Sequence, residues 1–140
     1  MNGLILKKRS KNQFKPFLLK GRIMQTRTQL LEDLLNYSCS PEDIEDGLKM
    51  YPWDTPKGLV VLDHKRLFSM LALYLQKKIT ASELEHWANL VEIREDIGFP
   101  ENEEALLSSI VFELANPVLF GELSEQSVGV MLGKIREAFL

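Results

Sequence analysis

Two consecutive helix start signals between residues 63 and 83 constrain the fold of this chain more than any other feature. Asp63 is a good N-cap, and five apolar side chains with helical i, i+3, i+4, i+7 and i+8 spacing follow it: Leu67, Met70, Leu71, Tyr74 and Leu75. The segment Thr80-Ala81-Ser82-Glu83 then fits a capping box, in which each end residue's side chain accepts a hydrogen bond from the other's backbone amide. We therefore predict a central helix from Asp63 to about Lys77, followed by a second helix that begins after Thr80.

The start and stop signals in the rest of the sequence are also those of helices. Six helices are predicted: 28–36, Ser40 to about Met50, Asp63 to about Lys77, Thr80 to before Gly98, about Glu101 to Asn116, and Ser124 onward. The run 59–62 has strand composition but no partner run, so we expect extended chain there. In the last helix, Gly129 and Gly133 are expected to permit close helix approach. The predicted fold class is all-α: a single compact bundle of five to six short helices over residues 24–140, with a disordered basic tail over residues 1–23.

The sequence offers little catalytic or metal-binding chemistry. Cys39 is the only cysteine, so neither an internal disulfide nor a cysteine-rich zinc site is expected. Glu83 and His86 form the single Glu-x-x-His pair, whereas a di-iron bundle needs two. The only other histidine, His64, follows a helix cap and is expected to be solvated, and His86 is expected at the surface. We predict no catalytic residues, no cofactor, no metal and no membrane span, and we expect a cytoplasmic protein.

Residues 1–23 contain seven lysine and arginine side chains and no acid. A secretory signal and an organelle presequence fit poorly, since the cations follow the short apolar run and Pro16 and Gly21 interrupt any amphipathic helix. A nucleic-acid-binding arm is the functional alternative, in which Phe14 and Phe17 would stack on bases. Our hypothesis is that residues 1–23 are an upstream extension that is not part of the working protein.

Removing these cations from the count changes the charge of the rest of the chain. The whole chain has a net charge of −3, whereas residues 24–140 carry ten basic and twenty acidic side chains. Six of these acids lie between residues 92 and 104, beside one arginine: Glu92, Glu95, Asp96, Glu101, Glu103 and Glu104. A solvated helix end is the simpler interpretation, since acids stabilise a helix N-terminus. The functional interpretation is an anionic surface that attracts a basic protein, and nucleic acid is disfavoured except through residues 1–23.

Two tryptophans have different expected roles. Trp87 lies on the apolar stripe of its helix and is expected to anchor the core. Trp53 lies in a loop with prolines and glycine, where it either covers the core or is an exposed partner-binding residue.

Several segments between residues 59 and 140 resemble known bacterial proteins. The segment Leu73-Tyr74-Leu75-Gln76-Lys77-Lys78-Ile79-Thr80-Ala81-Ser82-Glu83-Leu84 resembles the opening of the colicin-D-type bacterial immunity proteins. Three later segments resemble small uncharacterised bacterial helical proteins with a Trp-Ala-Asn…Asp-Ile…Glu-Leu-Ala-Asn-Pro pattern: residues 87–92, 94–99 and 113–117. The first resemblance implies a helical antidote whose acidic face occupies the basic active site of a nuclease toxin.

The expected function is therefore a non-catalytic protein-binding module, with an immunity protein or antitoxin as its candidate form. Its partner-binding residues would be the six acids named above and Trp53. The alternatives are an enzyme without a recognisable motif, for which a pocket holding His64 or His86 beside carboxylates would be the sign, and nucleic-acid binding through residues 1–23.

Overall fold

The structure is a computed structural model, and it describes residues 25–51 and 57–140. Its elements are α1 (Arg27–Asn36), α2 (Pro41–Leu48), β1 (Val60–Val61), α3 (His64–Leu75), α4 (Ala81–Glu92), β2 (Ile97–Gly98), α5 (Glu104–Ala115), α6 (Pro117–Phe120) and α7 (Glu125–Phe139). Helices dominate the described part of the chain, which confirms the all-α class. The described residues divide into two compact units, one over residues 25–51 and one over residues 57–140, and the prediction of one domain over residues 24–140 stays a prediction. The tail over residues 1–23 lies outside the described residues.

The first unit contains α1 and α2, and local capping defines both helices. The side chain of Thr26 accepts a hydrogen bond from the backbone of Gln29 at 3.1 Å, and the Gln29 side chain accepts one from the backbone of Thr26 at 3.0 Å. Ser40 caps α2 directly before a proline. Tyr51 donates its hydroxyl hydrogen to the backbone carbonyl of Gln25, which links the chain after α2 to the chain before α1. The predicted apolar stripes are buried: Leu30, Leu31, Leu34, Leu35, Ile44 and Leu48.

The second unit is built around two helix pairs. The helix α4 packs along α5, and α3 packs along α7 while it also contacts α4. The capping box at Thr80 is present, with hydrogen bonds of 2.8 and 3.0 Å to Glu83. Trp87 has no exposed surface, as expected for a core anchor. Of the predicted α3 stripe, Leu67, Met70 and Leu71 are buried, whereas Tyr74 and Leu75 are only partly buried.

Residues 59–62 differ from the prediction because they do have a strand partner. Val60–Val61 pairs in parallel with Ile97–Gly98. The Val60 amide donates to the Asp96 carbonyl at 3.0 Å, and the Leu62 amide donates to the Gly98 carbonyl at 2.8 Å. Since β2 needs an extended backbone, α4 ends at Glu92 instead of continuing towards Gly98. A strand of two residues inside an acidic turn has no composition signal, and this is why the prediction was wrong.

One short helix was not predicted, and the prediction about two glycines of the last helix was wrong. Pro117 does stop α5, but it also begins α6, because proline suits the first position of a helix. A Cβ atom added at Gly129 or Gly133 would meet nothing within 4 Å, so these glycines do not mark a close helix approach. At Gly98 the added atom would lie 3.3 Å from the Gly58 Cα, and the absence of a side chain there lets the two strands approach.

Candidate functional site: the acidic segment and a neighbouring apolar patch

The acidic segment, which we define as residues 92–104, joins α4 to α5 and passes through β2. Four of its six carboxylates are on exposed residues: Glu92, Glu95, Glu101 and Glu104. The strand pairing and the backbone hydrogen bond from the Gly58 amide to the Glu95 carbonyl, 2.9 Å long, hold the segment against the chain before α3. The exposed carboxylates therefore project from a backbone that is tied to the core.

Asp96 does not share this exposure. It is 1% exposed, and it accepts two hydrogen bonds of 2.9 Å from the guanidinium of Arg94, one on each carboxylate oxygen. A paired geometry of this kind is the strong form of an arginine–carboxylate contact. The sequence prediction that Asp96 lies on the partner-binding surface therefore needs correction, because its side chain is engaged inside the protein. The pair also engages Arg94, which is the only cation of the acidic segment.

Glu103 is engaged internally as well. Its carboxylate accepts a hydrogen bond from the His64 backbone amide at 2.9 Å, and its other oxygen lies 2.8 Å from the His64 Nδ1. The imidazole stacks on the Phe139 ring with a centroid separation of 4.9 Å. The His64 and Glu103 side chains are only 16% and 11% exposed, so the prediction that His64 is solvated was wrong. Because His64 opens α3, the carboxylate also satisfies an amide at the start of that helix.

The helix α6 presents a feature that the sequence reasoning did not single out. Val118, Leu119 and Phe120 are 95%, 66% and 51% exposed, and Phe112 of α5 is 42% exposed. The rings of Phe112 and Phe120 meet edge to face at 5.6 Å between centroids. We call these four residues the α6 patch. The sequence signal for this patch is the run of three consecutive large apolar residues after Asn116-Pro117, but these residues are predicted only as a connection between two helices.

The other predicted site residues lie outside the described residues or on α4. Trp53 lies outside the described residues, and so does the basic stretch 1–23. His86 is partly buried on α4 and has a contact partner of its own.

In the first unit, burial raises the pKa of the Asp33 carboxyl above its usual value of 3.8, with a smaller contribution from Glu32, while the hydrogen bond from Gln25 acts in the opposite direction.

Within residues 25–51 and 57–140, no group of three or more histidine, cysteine, aspartate or glutamate side chains is placed to hold a metal ion. Among the helices of the same residues, none is long and apolar enough to cross a membrane. Comparison with protein-family models, with curated proteins and with solved structures gives no match.

Proposed function

We propose that this chain is a non-catalytic protein-binding module that captures a basic protein through the exposed carboxylates of the acidic segment. The observation that carries the proposal is the separation of charge within this segment. Glu92, Glu95, Glu101 and Glu104 are on exposed residues, whereas Arg94 is held by the buried Asp96. The exposed charges of the segment are therefore all negative.

The arrangement suits fast capture of a positively charged protein. Interactions between exposed charges are screened over about 10 Å in 0.1 M salt, so several carboxylates on one short segment act together on an approaching partner. Complementary charge of this kind raises the association rate more than it raises the affinity. Because the backbone of the segment is fixed by β1 and β2, the carboxylates need little ordering when the partner binds.

The candidate form of this function is a bacterial immunity protein or antitoxin that works in the cytoplasm. A nuclease binds the phosphates of its substrate with basic side chains, and carboxylates on a helical protein can occupy the same positions. The resemblance of residues 73–84 to colicin-D-type immunity proteins supports this form. The acidic balance of residues 24–140, with twenty acids and ten bases, supports it independently.

The experiment compares two variants of equal charge in affinity capture and in stopped-flow association. In the test variant, Glu92, Glu95, Glu101 and Glu104 are all replaced by glutamine. The matched control removes four exposed charges elsewhere: Glu42→Gln, Asp43→Asn, Asp46→Asn and Glu137→Gln. We expect the full wild-type chain and the control to capture the same basic protein, with an association rate that falls steeply as salt rises. The test variant should associate at least about tenfold more slowly at low salt. Capture of no basic protein, or equal rates for the two variants, would contradict the proposal.

A second candidate from another class has one specific observation in its favour. The contact between the His64 Nδ1 and a carboxylate is the arrangement that orients a histidine for acid–base chemistry. The same carboxylate caps the first amide of α3, and this gives the pair a structural role as well. A screen of phosphodiester, ester and peptide substrates would favour catalysis only if turnover by the wild type disappeared in His64→Gln while Lys65→Gln kept it.

A further inference from the structure

The α6 patch is an apolar surface on a backbone that is firmly held. The Asn116 side-chain amide donates to the Phe112 carbonyl at 2.8 Å, and the Gly121 amide donates to the Pro117 carbonyl at 2.7 Å. Gly121 then turns the chain away with a φ of +99°, a conformation that favours glycine. Because these contacts fix the backbone, the exposed position of the patch is a feature of the folded structure.

Exposed apolar side chains are ordinary when they are scattered, but a contiguous group marks a contact surface. Val118, Leu119 and Phe120 are consecutive, and Phe120 touches Phe112 on the neighbouring helix, so the four side chains form one group. Aromatic side chains such as those of Phe112 and Phe120 are enriched at protein interfaces, and burial of apolar surface is the main favourable contribution to most protein association.

The charges next to the patch along the chain indicate the chemistry of its occupant. Between Arg94 and Lys134 the chain carries eight acidic side chains and no lysine, arginine or histidine. One of these acids, Glu125, pairs with Lys77, which follows α3, at 3.7 Å. The α6 patch lies within this stretch, with Glu113 beside Phe112 and Glu122 two residues after Phe120. A surface that is apolar at its centre and anionic beside it fits a segment with apolar side chains between cations.

We propose that the α6 patch is the docking site for an amphipathic basic segment of the protein partner. The apolar side chains of this partner segment would cover Val118 and Leu119, and the cations of the segment would lie near Glu113 and Glu122. This inference rests on the proposed function and adds a second contact to it. The acidic segment accelerates capture, and the α6 patch slows dissociation, because apolar burial acts mainly on the lifetime of a complex.

Two synthetic peptides of equal length and equal lysine content test the inference. One has leucines along one helix face, and the other has serines at those positions. Binding of each labelled peptide to the full chain is followed by fluorescence anisotropy. The test variant is Val118→Ser with Leu119→Ser, and both positions are exposed, so folding should be unaffected. The matched control is Val130→Ser, at an exposed position of α7 outside the patch.

We expect the wild type and the control to bind the leucine peptide at least about tenfold more tightly than the serine peptide, and the test variant to lose this preference. The inference is overturned if the wild type shows no preference, or if the preference survives in the test variant. It is also overturned if sedimentation shows a wild-type dimer that the test variant converts to monomer, because a second copy then covers the patch. Failure of the proposed function has a different signature: the salt-dependent binding of the serine peptide would be unchanged when the four exposed carboxylates of the acidic segment become glutamine.

Discussion

Replacing Asp96 with alanine should destabilise the protein strongly although it removes only one side chain of a surface turn. Asp96 is 1% exposed, and the Arg94 side chain is 14% exposed, so the pair is enclosed on the Asp96 side. Removing one partner of a buried ion pair costs about 3–5 kcal/mol, since the other charge stays buried without compensation. We expect a value near the lower end of that range, about 3 kcal/mol, for Asp96→Ala, because the Arg94 guanidinium can regain some contact with water.

The assay is urea unfolding of the full chain followed by circular dichroism, with thermal unfolding beside it. A loss of about 3 kcal/mol corresponds to a Tm roughly 6–12 °C lower for a chain of this size. Glu95→Ala is the matched control, since its exposed neighbouring carboxylate should change stability by no more than about 0.5 kcal/mol. Arg94→Ala should cost more than Asp96→Ala, because the carboxylate left behind is the more deeply buried partner. If Asp96→Ala does not fold, Asp96→Asn provides the measurement. A difference of less than about 1 kcal/mol between the Asp96 and Glu95 variants would refute the reasoning.

Three further predictions concern other contacts of the structure. The variant His64→Ala should lose about 1–2 kcal/mol in urea unfolding, because its ring contacts both Glu103 and Phe139; a loss no larger than that of the exposed Lys65→Ala would contradict this. Asp33→Asn should have the same free energy of unfolding as the wild type below pH 3.8. As pH rises above 3.8 and through the raised pKa of folded Asp33, the variant should become the more stable protein, because the folded wild type holds the Asp33 proton more tightly than its unfolded chain does. Unfolding across a pH series checks this, and a variant less stable than the wild type at neutral pH would contradict it. Gly98→Ala should cost roughly 1 kcal/mol by pushing β2 from Gly58, whereas Gly133→Ala in the open part of α7 should gain up to about 1 kcal/mol; the same sign for both substitutions in thermal unfolding would count against the argument.

The helices could be predicted because their signals are local. Ser40, Thr80 and Ser124 each cap a helix within three residues of themselves, and the sequence shows both the cap and the apolar stripe that follows. Burial of Trp87 followed from the same stripe. These features depend on residues that are close in sequence, so they can be predicted without knowing how distant segments pack.

The contacts that define the candidate site are different in kind. The hydrogen bonds between His64 and Glu103 join residues 39 positions apart, and β1 pairs with a strand that begins 37 residues later along the chain. No local pattern encodes either contact, because each depends on how α3, α4 and α5 pack. Asp96 was misplaced for a related reason: a run of acids is usually solvated, and only the strand pairing turns this one member inward.

The internal pairs also determine how the exposed carboxylates can act. While Asp96 holds Arg94, the cation lies against the protein and cannot neutralise Glu92 or Glu95. Releasing Arg94 by Asp96→Ala would place a mobile positive charge among those carboxylates. The variant should therefore associate more slowly with a basic partner under conditions where it is still folded, and the loss should shrink as salt rises. The buried pair thus keeps Arg94 away from the exposed carboxylates, so the exposed charges of the acidic segment are all negative.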